Sequence, residues 1–390
     1  MGRRRSFDEQ YPTRDSYRRF DQRETAFGLA MRGGGNPFDY DSEENRLAQI
    51  RKGLPGYTHL DYAFKDAAAL YEGSPGDDRE MNSGYYRWSG LGAAHKPKEL
   101  PKWVGTPEEA ATVVAKAAGY FGAVGVGFCG LDRRWVYSHD SRGRSIVFED
   151  VEEGYTNDEK AVIPESYRWV IALTVPMEYE ENGYAPTPLD ATSNMGYSRM
   201  HILAGFVAEF IRGLGYHAIP MGNDTALSVP IAAQAGLGHV GRHGRLITWE
   251  RGPLVRILKV FTDLPLAASP PAPGGIVEFC EVCKRCADSC PSGSIPRGPR
   301  TWEPRCSSNN PGALKWYCDE QACFAHWKVV KSGCGICLRV CAFTKGPGPH
   351  HEAIKWFIRN VPQLNRFWVF SDKLLGYGRM RDPMKYWGAN

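Results

Sequence analysis

The chain has 390 residues and a formal net charge of +4 spread along its length. It is long enough to bury a core without disulfides, and with no basic block beyond Arg3 to Arg5 an extended nucleic-acid footprint is not indicated. No stretch approaches the ~20 apolar residues of a membrane span.

The opening MGRRRSF is similar to the start of a twin-arginine export signal, yet YPTRDSYRRFDQRET follows where an apolar segment should stand. The expectation is a signal already removed or a protein never exported. Residues 1–100 are rich in Gly, Tyr and Asp, with turn signals at Gly33-Gly34-Gly35 and Ser74-Pro75-Gly76, and read as an irregular wrapping segment. An α/β (α+β) core is expected over 101–274, with a polar insertion at about 130–166. Thr106-Pro107-Glu108-Glu109 starts a helix that runs to about Phe121. Strands are expected at Ala123 to Phe128, Trp169 to Val175 and Tyr216 to Pro220, and helices at Ser198 to Leu214 and Pro230 to Ala235. Two β-rich runs, Arg245 to Trp249 and Leu254 to Phe261, read as a hairpin through Glu250-Arg251-Gly252-Pro253.

Ten of the eleven cysteines fall between Cys280 and Cys341, and eight of them form two runs. Cys280-x2-Cys283-x2-Cys286-x3-Cys290-Pro291 is the bacterial ferredoxin spacing, in which three thiolates hold one iron-sulfur cluster and the fourth reaches the other. On that logic Cys280, Cys283, Cys286 and Cys341 hold one cluster, and Cys290, Cys323, Cys334 and Cys337 the second, in a ferredoxin-like domain over 275–345. The second run departs from the pattern, because its first ligand is remote and Ala342 replaces the usual Pro; Cys318 or Cys306 could stand in for Cys323. Structural zinc would accept four thiolates, but two interleaved sets with a Cys-Pro end are unusual for it. Cys129 reads as a small buried hydrophobe. The aromatic tail 346–390 reads as a cover for the core or a dimer face.

Gly125-x-Gly127-x-x-Gly130 and Gly236-x-Gly238-x-x-Gly241 match the dinucleotide fingerprint without its strand-turn-helix context. The second is better suited to bringing backbone close to a large flat ligand. None of the ten histidines has Asp two residues before it, so a histidine-ligated corrinoid is not expected. Tyr197, Asn223 and Arg256 stand out as polar residues in apolar or Gly-rich surroundings.

LDRRWVYS, IVFEDV, YSRM, the AGLG turn, VRILKVFT, FCEVCKRCADSCPSGSI and CGICLRVCAFTKG together resemble the corrinoid and iron-sulfur reductive dehalogenases over nearly the whole chain. The spacing agrees with that family: 26 positions from Tyr197 to Asn223 and 33 from Asn223 to Arg256. The resemblance implies a nitroreductase-like core holding a base-off cobamide with no protein histidine below cobalt, fed by two [4Fe-4S] clusters. It implies Tyr197 as proton donor, Arg256 as its cationic partner, Asn223 near the halogen, and a cofactor turn at Gly236, Gly238 and Gly241. Phe27 and Trp327 match pocket aromatics, and Tyr71 aligns loosely with another. The implied reaction is the two-electron reductive removal of halide from a small organohalide. The implied partners are a respiratory electron donor and a small membrane anchor protein at the outer face of the cytoplasmic membrane, with a cytoplasmic location as the alternative; a homodimer is a further expectation.

Two other readings compete. An epoxyqueuosine reductase shares cobamide and clusters, but Tyr rather than a carboxylate occupies the donor position here, and no basic tRNA-binding region is visible. A non-catalytic electron carrier or corrinoid reactivating protein would need the clusters but not the pairing of Tyr197 with Arg256.

Overall fold

A computed structural model describes residues 4–34, 36–69, 81–92, 101–346 and 348–388. Along the described chain run β1 (Gly125–Gly130), β2 (Ser145–Glu149), β3 (Tyr155–Thr156), β4 (Lys160–Pro164), β5 (Trp169–Pro176), β6 (Ala218–Met221), β7 (His239–Val240), β8 (Leu246–Ile247) and β9 (Val255–Thr262). The central sheet has the order β1-β5-β9-β6 and is antiparallel throughout. Within the α/β (α+β) expectation, the core is therefore of the α+β kind. The insertion carries its own sheet, with β4 parallel to β2 and antiparallel to β3.

Both faces of the central sheet are covered, which is why β5 and β9 read as nearly unbroken apolar runs rather than alternating ones. Ile171, Leu173, Val175, Leu258 and Val260 face the helices Pro107–Tyr120 and Thr187–Gly213, meeting Val114, Leu203, Ala204, Val207 and Ile211. Val170, Ala172 and Phe261 face the other way, towards Trp135, Ile146, Ile163 and the Ser228–Gln234 helix. The Pro107–Tyr120 helix begins where its sequence says it should. Thr106 and Glu109 form a reciprocal capping box, with Pro107 in the first turn.

Three expectations are corrected. The second core helix begins at Thr187, not Ser198, so Tyr197 lies in mid-helix; Pro188 in the first turn is the start signal, masked by the poor helix formers Thr192, Ser193 and Asn194. The hairpin between Arg245 to Trp249 and Leu254 to Phe261 does not form. Thr248 and Gly252 do close a turn by paired backbone bonds of 2.9 and 3.0 Å, but β8 pairs back with β7 while β9 enters the central sheet between β5 and β6. Finally, the described residues of the 1–100 segment carry more regular structure than their composition suggests. The short helices Phe7–Gln10, Ala26–Arg32, Glu43–Arg51 and His59–Ala68 are capped by Ser6, Thr25, Ser42 and Thr58.

The N-terminal segment is fastened to the core through buried charge. Lys65 Nζ lies 2.9 Å from Asp41 Oδ2 and 2.7 Å from Asp190 Oδ2. Asp190, in the first turn of the Thr187–Gly213 helix, also accepts the Gly333 N–H at 3.3 Å. The two carboxylates hold the Lys65 ammonium charged against the cost of burial. Asp190→Ala should lower stability by about 3 kcal/mol, read as a fall in denaturation midpoint. Asp66→Ala removes an ion pair to Arg46 whose carboxylate is half exposed, and should cost less than about 1 kcal/mol.

A second buried cation shapes the loop after β6. Lys259 is 0 % exposed; its Nζ donates to Gly222 O, to Ala226 O at 2.9 Å and to Ser228 Oγ at 2.9 Å. Asp224 closes the same loop, accepting from Gly222 N–H and Thr225 Oγ1, each at 2.8 Å. Burial pushes the Lys259 ammonium down to about 7, against about 10.4 in an unfolded chain. Between those values the unfolded chain binds more protons, so this residue makes stability rise with pH. Thermal unfolding from pH 7 to 9 should show the wild type gaining on a Lys259→Met variant, and a gap that does not change with pH would refute the assignment.

Candidate active site and cysteine module

The Thr187–Gly213 helix crosses β9 so closely that a Cβ on Gly196 would lie 2.7 Å from Arg256 Cγ. The missing side chain lets Arg256 lie flat on the next residue, with its Cζ 4.3 Å from the Tyr197 ring centroid. Tyr197 Oη accepts from Arg256 Nη1 at 3.3 Å and from Asn223 Nδ2 at 3.0 Å. The three residues singled out in the sequence therefore meet at one oxygen, from the long helix, the loop after β6 and the start of β9. Asn223 is exposed and Tyr197 half-buried, so the group faces open space. Arg256 Nε is buried without a partner.

Phe27 and Trp327 also come together, with ring centroids 5.8 Å apart. Phe38, Tyr40 and Phe324 complete the aromatic group: Phe324 lies 4.6 Å from Phe27, Phe38 lies 5.7 Å from it, and Tyr40 lies 6.3 Å from Trp327. Sequence reasoning missed these three. Phe324 and Trp327 share a helix face at a spacing of three, which could have flagged the first. Trp327 Nε1 is buried without a hydrogen-bond partner. Tyr71 lies outside the described residues.

Gly236, Gly238 and Gly241 are accounted for by the chain itself. Their added Cβ atoms would meet Pro270 O at 2.3 Å, Ile247 O at 2.2 Å and Ile247 Cδ1 at 2.4 Å. Between them, Leu237 lines a cavity of about 250 Å³ with Gly125, Thr174, Thr248, Arg251 and Val255. In the other glycine motif, a Cβ on Gly127 within β1 would lie 2.2 Å from Ala235 O.

The cysteines fall into two groups. Cys280, Cys283, Cys286 and Cys341 line one cavity of about 290 Å³. Burial raises the thiol pKa of Cys280, Cys286 and Cys341, and within the set Cys280 feels Cys341 and Cys283, and Cys286 feels Cys280 and Cys341. The second group is Cys290, Cys323, Cys334 and Cys337: after burial, Cys337 feels Arg245 and then the other three thiols. Cys290 differs from the rest, because despite burial the Ser292 hydroxyl and the backbone N–H groups of Ser294, Ile295 and Ser292 hold its thiol below the usual range. Cys318 is buried and directs its Sγ to Arg242 O at 3.6 Å, and Cys129 is buried with its thiol pushed up to about 12 by desolvation. Among the described residues no three His, Cys, Asp or Glu side chains close on one point as ligands of a single ion do. Thiols spread around a cavity suit a cluster of several atoms better than one zinc ion.

Residues 279–344 match the 4Fe-4S double cluster binding domain, and residues 136–266 match the reductive dehalogenase subunit family. The chain is 37% identical over 316 residues to tetrachloroethene reductive dehalogenase of Sulfurospirillum multivorans, covering 77% of this chain and 62% of that protein. It is 34% identical over 335 residues to the protein of the same name from Dehalobacter restrictus, covering 78% and 60%. The solved catabolic reductive dehalogenase NpRdhA superposes with a TM-score of 0.68 at 22% identity, over 96% of this chain and 49% of that one. A further reductive dehalogenase, whose structure suggests a mechanism for B12-dependent dehalogenation, gives 0.67 at 21% identity over 96% and 48%. The chain thus spans about three fifths of the length of the curated relatives it matches and about half of the solved chains. With both family matches on one chain, and relatives of that identity along most of it, the chain belongs to the reductive dehalogenase family.

Proposed function

We propose that the chain carries out reductive dehalogenation: R–X + 2 e⁻ + H⁺ → R–H + X⁻, with R–X a small halogenated organic molecule. The observation that carries this reading is the convergence of Asn223 and Arg256 on Tyr197 Oη. A guanidinium has donors only, and the Asn223 group involved is its NH₂, so neither neighbour takes the phenolic proton. That proton stays available at Oη for the carbon that loses halide. Once it leaves, the stacked Arg256 guanidinium stabilises the phenolate, and Asn223 holds its direction.

The residues fit the two groups that the reaction needs. The thiols of Cys280, Cys283, Cys286 and Cys341 would hold one [4Fe-4S] cluster, and those of Cys290, Cys323, Cys334 and Cys337 the other. The unpartnered Arg256 Nε and the open face beside Asn223 suit a further ligand. Tyr197, Asn223 and Arg256 would border a base-off cobamide on its reacting side, and the backbone of the Gly236 to Gly241 turn would border its edge. Bound there, a cobamide supplies the strongly reducing cobalt centre for carbon–halogen cleavage. Phe27 and Trp327, with Phe38, Tyr40 and Phe324, would form the apolar wall that favours a halocarbon and excludes water.

We further propose a respiratory electron donor and a small membrane anchor as partners, at the outer face of the cytoplasmic membrane, and a homodimer as the assembly. No helix among the described residues is long and apolar enough to cross a membrane.

The protein reconstituted anaerobically with cobamide, and screened against chlorinated and brominated ethenes, alkanes and phenols, should release halide; no release from any class would reject the reading. Tyr197→Phe with cofactors retained should lose about 10²- to 10⁴-fold in rate, the usual worth of a positioned acid, and wild-type turnover would remove Tyr197 from the mechanism. Iron and acid-labile sulfide should each approach about eight per chain, the content of two [4Fe-4S] clusters; zinc in their place would overturn the ligand assignment.

A further inference from the structure

The hairpin of β7 and β8 ends in Gly241, Arg242, His243, Gly244 and Arg245. Gly241 N–H closes the tip on Arg245 O at 2.9 Å, and Gly244 takes the left-handed turn at φ 71°. The tip enters the cysteine module. Arg242 and His243 both line the 290 Å³ cavity with Cys280, Cys283, Cys286 and Cys341, but they meet it differently. Arg242 commits its guanidinium to the carbonyls of Cys280, Glu281, Pro296 and Gly298. His243 is only 3 % exposed, and its Nδ1 accepts the Arg245 backbone N–H at 3.2 Å. That bond leaves the ring proton on Nε2, which is buried without any partner. A buried donor kept without an acceptor is costly, and its partner is to be sought in whatever fills the cavity it faces.

We propose that His243 Nε2–H donates a hydrogen bond to a sulfur of the iron-sulfur cluster held by Cys280, Cys283, Cys286 and Cys341, raising the reduction potential of that cluster. The inference rests on the cluster assignment above. The reduced cluster carries one more negative charge than the oxidised one, so a fixed donor stabilises it more. The other group has a different shell, with the Ser292 hydroxyl and three backbone N–H groups around Cys290, so the effect is confined to one cluster of the pair.

Reductive titration of the purified protein, followed by electron paramagnetic resonance, tests this. In His243→Leu one cluster should become about tenfold harder to reduce at a given potential, a negative shift of about 59 mV for a one-electron couple, with the other unmoved. His243→Gln, which keeps an N–H at the end of its side chain, should recover part of the shift. Unchanged midpoints in His243→Leu would overturn the proposal. Wild-type protein with ¹⁵N-labelled histidine gives a check that no variant's folding can spoil. Its reduced cluster should show a weak histidine-nitrogen coupling in pulsed spectra, and the absence of that coupling would refute the hydrogen bond. Failure of the cluster assignment itself is separate, and would show as missing iron and sulfide in the wild type.

Discussion

The crossing of the Thr187–Gly213 helix over β9 governs the rest of the structure. At Gly196 the Arg256 side chain comes near enough to exclude a side chain on the helix, and that closeness lays Arg256 against Tyr197. A phenol on a helix and a guanidinium on a strand would otherwise be separated by a layer of side chains. The same helix bears Asp190 at its start, so the N-terminal segment, through Lys65, and the cysteine module, through Gly333, are registered on one rigid element. Tyr197 is therefore positioned by a long, largely buried helix of the core, as its proposed role of holding a proton at a fixed point requires.

Charges inside this protein are placed where carbonyls or carboxylates await them. Lys259 and Arg242 are both buried and both bind mainly backbone carbonyls. Each fastens a loop that could not bury its own polar backbone unaided. Lys259 fixes the turn bearing Asn223, and Arg242 fixes the Cys280 end of the Ile276–Cys283 helix against the 296–298 segment. Neither touches the proposed reacting atoms, yet each sets the place of a group that does.

What could be read from the sequence was whatever depends on short-range spacing. The cysteine runs, the Thr106 capping box and the apolar runs of β5 and β9 all carry their meaning within a few residues. Tyr197, Asn223 and Arg256 were visible as a set because a family pattern supplied their spacing; no local rule joins them. What escaped depends on partners far along the chain. The early start of the long helix is sustained by burial of Thr187, Asp190 and Thr192, which overrides their low propensity. The turn at Thr248 to Gly252 looks like a hairpin until β6 and β5 claim both edges of β9. Lys259 reads as a solvated strand residue until the 222–228 loop folds over it. The aromatic group around Trp327 is assembled from residues almost three hundred positions apart, which no periodicity can announce.

The alternation of β9 gives this arrangement a division of labour. Arg256 points to the long helix and Tyr197, whereas Val255 and Ile257 belong to the apolar cluster that contains Phe279, Cys280, Cys341 and Phe343. One strand thus presents the proposed proton site on one face and packs the proposed electron carrier on the other. Because side chains along a strand alternate with a period of two, a slip of one residue in the pairing of β9 would exchange the faces and destroy both at once. The register is held from two sides, by eight residue pairs with β5 and four with β6, with Lys259 pinned beneath the Asn223 loop as a third lock. On the proposed reading, electrons would reach the site from one side of this strand and the proton from the other.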